Sequence, residues 1–145
     1  MLLFFKEEAK LKGVILASHG KLAEGLLDTL QLFNGEQEQL EALCLLPGDD
    51  IAEFVARIKE TVDKVNTGEG VVVFCDLLFG SPCNCSSRLL MDEELKDKID
   101  VITGMNLPMV MEYLACRENG MTSDDIINTG REGIQDFVKV YKASH

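Results

Sequence analysis

At 145 residues, with 46% apolar and 27% charged side chains, the chain has the size and balance of one globular domain, which excludes disordered and collagen-like classes. Its formal net charge of −11 argues against a nucleic-acid partner, because binding a polyanion calls for a basic stripe that releases counterions; an acidic surface suits a basic protein partner instead. The longest apolar runs, such as Met1 to Phe5 and Val71 to Cys75, fall far short of the ~20 residues that cross a bilayer, so the protein is not expected to be membrane-embedded.

Met1 to Phe5 lacks the basic flank of a secretory signal and meets Lys6-Glu7-Glu8 at once, which places the protein in the cytoplasm. The cysteine count fits that compartment. Five is an odd number, and Cys44, Cys75 and Cys116 stand in apolar runs where a free thiol packs as a small hydrophobe.

In chain order, Gly13 to Ala17 is a continuous apolar run that ends in Ser18-His19-Gly20. Apolar residues then recur at 22, 23, 26, 27, 30 and 33, which predicts a strand followed by a helix. Asn34-Gly35 supplies a left-handed stop, and Leu40 to Leu46 is a second strand closed by Pro47-Gly48. Asp49 and Asp50 can cap a helix with a buried stripe of Ile51, Phe54, Val55, Ile58, Val62 and Val65. Val71 to Cys75 is apolar on both faces and reads as a central strand.

Ser81-Pro82, read as an N-cap followed by proline at the first helical position, opens a helix through about Met91. Ile99 to Thr103 is the fourth strand, Gly104-Met105-Asn106 its exit loop, and Leu107 to Arg117 the next helix. Thr122-x-x-Asp125 is a weaker version of the capping box and starts another helical piece. The stretch Ile134 to Tyr141 fits either a helix or an edge strand. With no linker or internal repeat, the pattern predicts an α/β fold with a doubly wound, mostly parallel sheet and helices on both faces.

In such sheets sites form at the carboxyl ends of strands, near the point where strand order reverses. Three loops therefore matter: Ser18 to Gly20, Asp76 to Ser81, and Gly104 to Pro108. If the first and third strands are neighbours, as in the flavodoxin-like order 2-1-3-4, His19 and Asp76 end side by side. The carboxylate can then accept the Nδ1–H of His19, fix the tautomer and leave Nε2 as a lone-pair nucleophile. A surface histidine and a loop-capping aspartate fit the same residues, and both readings stay open here. The helix entry at Ser81 adds N–H donors facing the crevice, and the set describes a phosphoryl acceptor site.

Competing motifs fail on spacing. Cys83 and Arg88 are separated by four residues where thiol phosphatases have five, and Ser18 stands where histidine phosphatases carry an arginine whose fork clamps phosphate. Cys83 and Cys85 diverge on a helix, so no metal site is expected. No nucleotide-binding glycine motif occurs, and no cofactor is expected.

Gly13-Val-Ile-Leu-Ala-Ser-His-Gly20, Leu22-Ala-Glu-Gly-Leu26, Pro47-Gly48, Asp76-Leu-Leu-Phe-Gly-Ser-Pro82 followed by Asn84, Gly104-Met-Asn-Leu-Pro108 and Thr129-Gly-Arg-Glu-Gly133 together resemble the enzyme IIA domain of the mannose-type sugar phosphotransferase system. The likeness runs from about residue 12 to 138 in unbroken order. It implies that His19 accepts a phosphoryl group from the histidine-containing phosphocarrier protein and passes it to enzyme IIB for sugar uptake. Asp76 would orient His19, and Ser18, Gly20, Gly80 and Ser81 would bind the phosphoryl group.

The resemblance also implies a homodimer whose four-stranded parallel sheet is completed by an antiparallel strand exchanged from the C-terminal segment, 134 to 145. Residues 1 to 11 would be an extension to a single domain of residues 12 to 145. Departures from the family pattern are that extension, Leu77-Leu78-Phe79, and the cysteines at 83 and 85. Two alternatives share the likeness: the phosphotransferase subunit of phosphoenolpyruvate-dependent dihydroxyacetone kinase, and a non-catalytic regulatory module of the same fold.

Overall fold

The computed structural model describes residues 10 to 145; the expectations for Met1 to Phe5 and most of the extension lie outside the described residues. Four strands alternate with helices: β1 (Gly13–His19), α1 (Leu22–Asn34), β2 (Leu40–Leu45), α2 (Ile51–Val65), β3 (Val71–Cys75), α3 (Ser81–Ser87), a 3₁₀ turn (Arg88–Met91), β4 (Ile99–Ile102), α4 (Leu107–Ala115), α5 (Ser123–Glu132) and α6 (Phe137–Ser144). The sheet is wholly parallel in the order β2-β1-β3-β4, as the doubly wound reading requires.

Period-two alternation divides β1 and β3 between two cores. Ile15, Ala17, Val71, Val73 and Cys75 meet Phe54, Ile58, Val62 and Val65 of α2 and the buried thiols of α3 on one face. Val14, Leu16, Val72 and Phe74 meet Leu30 of α1, Val110 and Tyr113 of α4 and Ile126 of α5 on the other. Each such fully buried side chain contributes about 1.5–3 kcal/mol, which explains why strands apolar on both faces take the centre of the sheet. Gly13 lets α2 approach this closely: a Cβ there would lie 2.5 Å from Val65 Cγ2.

Local signals set the helix ends. Asp50 caps α2 by accepting from Ala52 and Glu53 N–H, while Asp49 accepts from Leu46 N–H and shapes the preceding turn. The Thr122/Asp125 capping box is formed in both directions.

Other elements depart from expectation. Gly80 is the N-cap of α3 and Ser81 its first residue, so Pro82 occupies the second helical position; Ser81 does not cap the helix. The helix itself stops at Ser87 and tightens into the 3₁₀ turn. Leu22, Phe33 and Ile51, expected in buried stripes, are exposed at helix ends beyond the sheet. Cys116 is only half-buried and donates to Glu112 Oε1.

Residues 137 to 144 form α6 and not a strand. Ile134, Phe137, Val138 and Tyr141 recur at helical spacing, and Asp136 caps the helix by accepting from Val138 and Lys139 N–H. That apolar face is exposed, and β4 remains an edge strand.

At the amino end of the sheet Arg117 is buried and acts as a clamp. Its Nη2 donates to the carbonyls of Lys12 and Gln39 at 3.0 and 2.9 Å, and its Nη1 donates to the carbonyl of Glu38. Gln39 itself sits at φ 53°, a left-handed backbone that a side chain disfavours. One guanidinium thus joins the entry of β1 to the entry of β2. Replacing Arg117 by leucine strips three part-buried carbonyls of a charged donor and should lower unfolding stability by about 1–3 kcal/mol, measured by urea denaturation.

Candidate functional site

The parallel register places Ala17 beside Cys75, so the next residues of β1 and β3 emerge together at the carboxyl end of the sheet. His19 and Asp76 meet there. The backbone N–H of His19 donates to Asp76 Oδ2 at 2.9 Å, and the ring Nδ1 lies 2.9 Å from the same oxygen. The other oxygen, Oδ1, accepts from Leu77 N–H at 3.0 Å. A carboxylate held by three N–H groups has a single orientation.

Electrostatics favour that arrangement. Burial alone would raise the Asp76 pKa, but the main-chain and ring hydrogen bonds from His19, its ring charge and the Leu77 N–H together hold it below the ordinary carboxylate range. An ionised Asp76 accepts only, so Nδ1 carries the proton and Nε2 keeps its lone pair on the far side of the ring. Asp76 is 10% exposed at the side chain and His19 43%: the orienting group is sheltered and the ring reaches solvent.

Gly80 closes the pocket around the ring. A Cβ on this residue would sit 2.7 Å from His19 Cε1, so a larger side chain would push the imidazole from Asp76. Ser81 follows at the first turn of α3, half-buried. His19, Asp76 and Gly80 are thereby gathered at one point, with Ser81 next in the chain.

Ser18 and Gly20 are placed differently. Ser18 is fully buried, its Oγ accepting from Ala23 N–H at 2.8 Å; it satisfies the first turn of α1, where Lys21 supplies no side-chain cap. Gly20 takes φ 55°, and its N–H donates to the Leu45 carbonyl at 2.8 Å. Its contribution is the sharp turn from β1 into α1. The third loop, Gly104 to Pro108, also braces: Met105 N–H donates to the Cys75 carbonyl, and Asn106 both caps α4 and donates to the Gly130 carbonyl.

The cysteines contribute no nucleophile. Burial pushes the Cys75 thiol up to about 12, and Cys83 and Cys85 are buried while Arg88 is exposed, so the two residues of the phosphatase-like spacing do not converge. Among the described residues no group of three metal-ligating side chains occurs, and no helix is long and apolar enough to cross a membrane. The second histidine, His145, follows α6 and stacks on Tyr141.

Two features escape sequence reasoning. Phe79 adopts φ 63° while its side chain is 77% exposed, and Leu77 and Leu78 are exposed beside it, giving the site an apolar rim. The one available signal is three consecutive large apolar residues in a loop bounded by aspartate and glycine.

Residues 13–130 match the family model described as "PTS system fructose IIA component". The mannose-specific EIIAB component of Escherichia coli K12 is 32% identical over 126 residues, covering 84% of this chain and 38% of that protein; the chain thus spans well under half the length of that relative. The sorbose-specific EIIA component of Klebsiella pneumoniae is 31% identical, covering 77% of this chain and 78% of that one. A solved IIA protein associated with the fucose utilization operon of Streptococcus pneumoniae superposes with a TM-score of 0.83 at 28% identity, covering 92% of this chain and 99% of that chain. The chain belongs to the mannose-type family of phosphotransferase-system IIA domains.

Proposed function

We propose that the chain is a cytoplasmic phosphocarrier, accepting a phosphoryl group on His19 from the histidine-containing phosphocarrier protein and handing it to enzyme IIB for sugar uptake. The observation that carries this reading is the 2.9 Å contact between His19 Nδ1 and Asp76 Oδ2 on a solvent-reaching ring. In the forward step the Nε2 lone pair attacks phosphorus as the bond from phosphorus to the donor nitrogen breaks. The ring, still protonated at Nδ1, takes up positive charge that Asp76 offsets; donation to enzyme IIB is the reverse attack by the next acceptor. Gly80 and Ser81 would lie against the transferred group. The apolar rim of Leu77, Leu78 and Phe79 supports a protein partner, since exposed contiguous apolar side chains suit a macromolecular interface.

We also propose a homodimer in which the C-terminal segment, 134 to 145, is exchanged. The exposed apolar side chains of Ile134, Phe137, Val138 and Tyr141 support it. The chain should elute at twice its monomer mass, and deleting residues 134 to 145 should yield monomers or aggregates; a full-length chain that stays monomeric at all concentrations overturns the exchange.

Incubated with phosphoenolpyruvate, enzyme I and the phosphocarrier protein, the chain should gain one acid-labile, base-stable phosphoryl group. His19→Ala should gain none, and normal labelling of that variant overturns the assignment. Asp76→Asn should fold but transfer ~10²-fold more slowly, because the amide cannot stabilise the charged imidazole; unchanged kinetics would remove Asp76 from the site.

The lowered pKa of Asp76 also fixes a sign. Its ionised form is favoured in the folded chain, so the stability it adds is complete above the unfolded carboxylate pKa of ~3.9 and is lost as pH falls through the lower folded value. The stability difference between wild type and Asp76→Asn, followed by urea denaturation, should therefore narrow as pH falls from ~3.9 through the lower folded value.

A further inference from the structure

The turn that carries Gly80 to the imidazole is held in an unfavourable backbone state. Phe79 lies at φ 63°, where its Cβ is crowded, and its exposed ring recovers little by burial. Hydrogen bonds must therefore keep the turn in place. Gly80 N–H donates to the Leu77 carbonyl at 3.1 Å. The other contacts come from one residue of α3: Asn84 Nδ2 donates to the Phe79 carbonyl at 3.0 Å, and Asn84 N–H to the Gly80 carbonyl at 2.9 Å.

We propose that Asn84 is a positioning residue for His19, acting through the Phe79–Gly80 turn. Resting on the reading of His19 as the phosphoryl acceptor, the inference concerns how the ring is kept in register. Asp76 fixes one edge of the imidazole through Nδ1. Gly80 stands against Cε1, the carbon between the two ring nitrogens, closely enough that a Cβ would lie 2.7 Å away. The ring is thus held by a hydrogen bond and by a steric stop, and the stop is only as firm as the turn behind it. Without the Asn84 amide, the left-handed Phe79 can relax toward ordinary backbone angles and carry Gly80 away from Cε1. Asn84 is exposed, so water can replace its bond to the carbonyl, and the loss falls on geometry more than on stability.

The test uses the full chain and phosphoramidate, a small donor that needs no docking surface: Nε2 attacks its phosphorus, the P–N bond breaks and ammonia leaves. Asn84→Ala should slow phosphohistidine formation about fivefold or more and change the His19 ring ¹⁵N shifts, with little change in thermal midpoint. Asn84→Asp, similar in size but without the donor, should show the same change in ring shifts. Because glycine adopts positive φ without penalty, adding Phe79→Gly to Asn84→Ala should recover most of the lost rate relative to Asn84→Ala. A purely structural role for Asn84 predicts no such rescue.

Wild-type rate and ring shifts in Asn84→Ala, or a double variant as slow as Asn84→Ala, overturn the proposal. If the wild-type chain takes a phosphoryl group neither from phosphoramidate nor from the phosphocarrier protein, the acceptor reading fails. The ring shifts of the Asn84 variants then decide the positioning role by themselves.

Discussion

The site depends on β1 and β3 being parallel neighbours, because that pairing brings together two residues that lie 57 positions apart in the chain. Sheet hydrogen bonds fix the two strands residue against residue up to Ala17 and Cys75, and only Ser18 then precedes His19 while Asp76 follows Cys75 directly. Over so short a reach the backbone has little freedom. The main-chain N–H of His19 bonds the same carboxylate oxygen as its ring, so the carboxylate belongs to the strand geometry as much as to the imidazole.

From that constraint follows a division of roles among neighbouring residues. Side chains of a strand alternate between faces, so Ser18 turns inward to cap α1 while His19 turns outward. Gly20 ends the strand with a left-handed turn and gives its N–H to β2. Three consecutive residues thereby seal the interior, present the imidazole and redirect the chain.

Much of this arrangement is legible in the residues themselves. Strands with no polar face demanded cover on both sides, which led to a doubly wound sheet, and the sheet order placed His19 beside Asp76. The remainder depends on backbone states that residue types do not announce. Nothing in Leu77-Leu78-Phe79 marks Phe79 for a positive φ, since glycine or asparagine is the usual occupant. The Ser81-Pro82 pair signals a helix entry but not its cap to within one residue, and Gly80 takes that place. In the C-terminal segment helical spacing and β-favouring residues such as Phe137, Val138 and Val140 point in opposite directions, and the Asp136 cap is what selects helix. Arg117 looks like the end of an amphipathic helix; three of its acceptors are main-chain carbonyls, which no side-chain pattern reveals.

That arginine has a consequence for how the molecule can change. By tying together the entries of β1 and β2, it anchors strand alignment at the edge of the sheet remote from the imidazole. Loops at the opposite end are relieved of that duty. Leu77, Leu78 and the exposed start of α1 can be exchanged for residues of other shapes and charges without sliding one strand against another. The exposed surface around the site is therefore free to diverge, while the distance between ring and carboxylate is set from within the sheet.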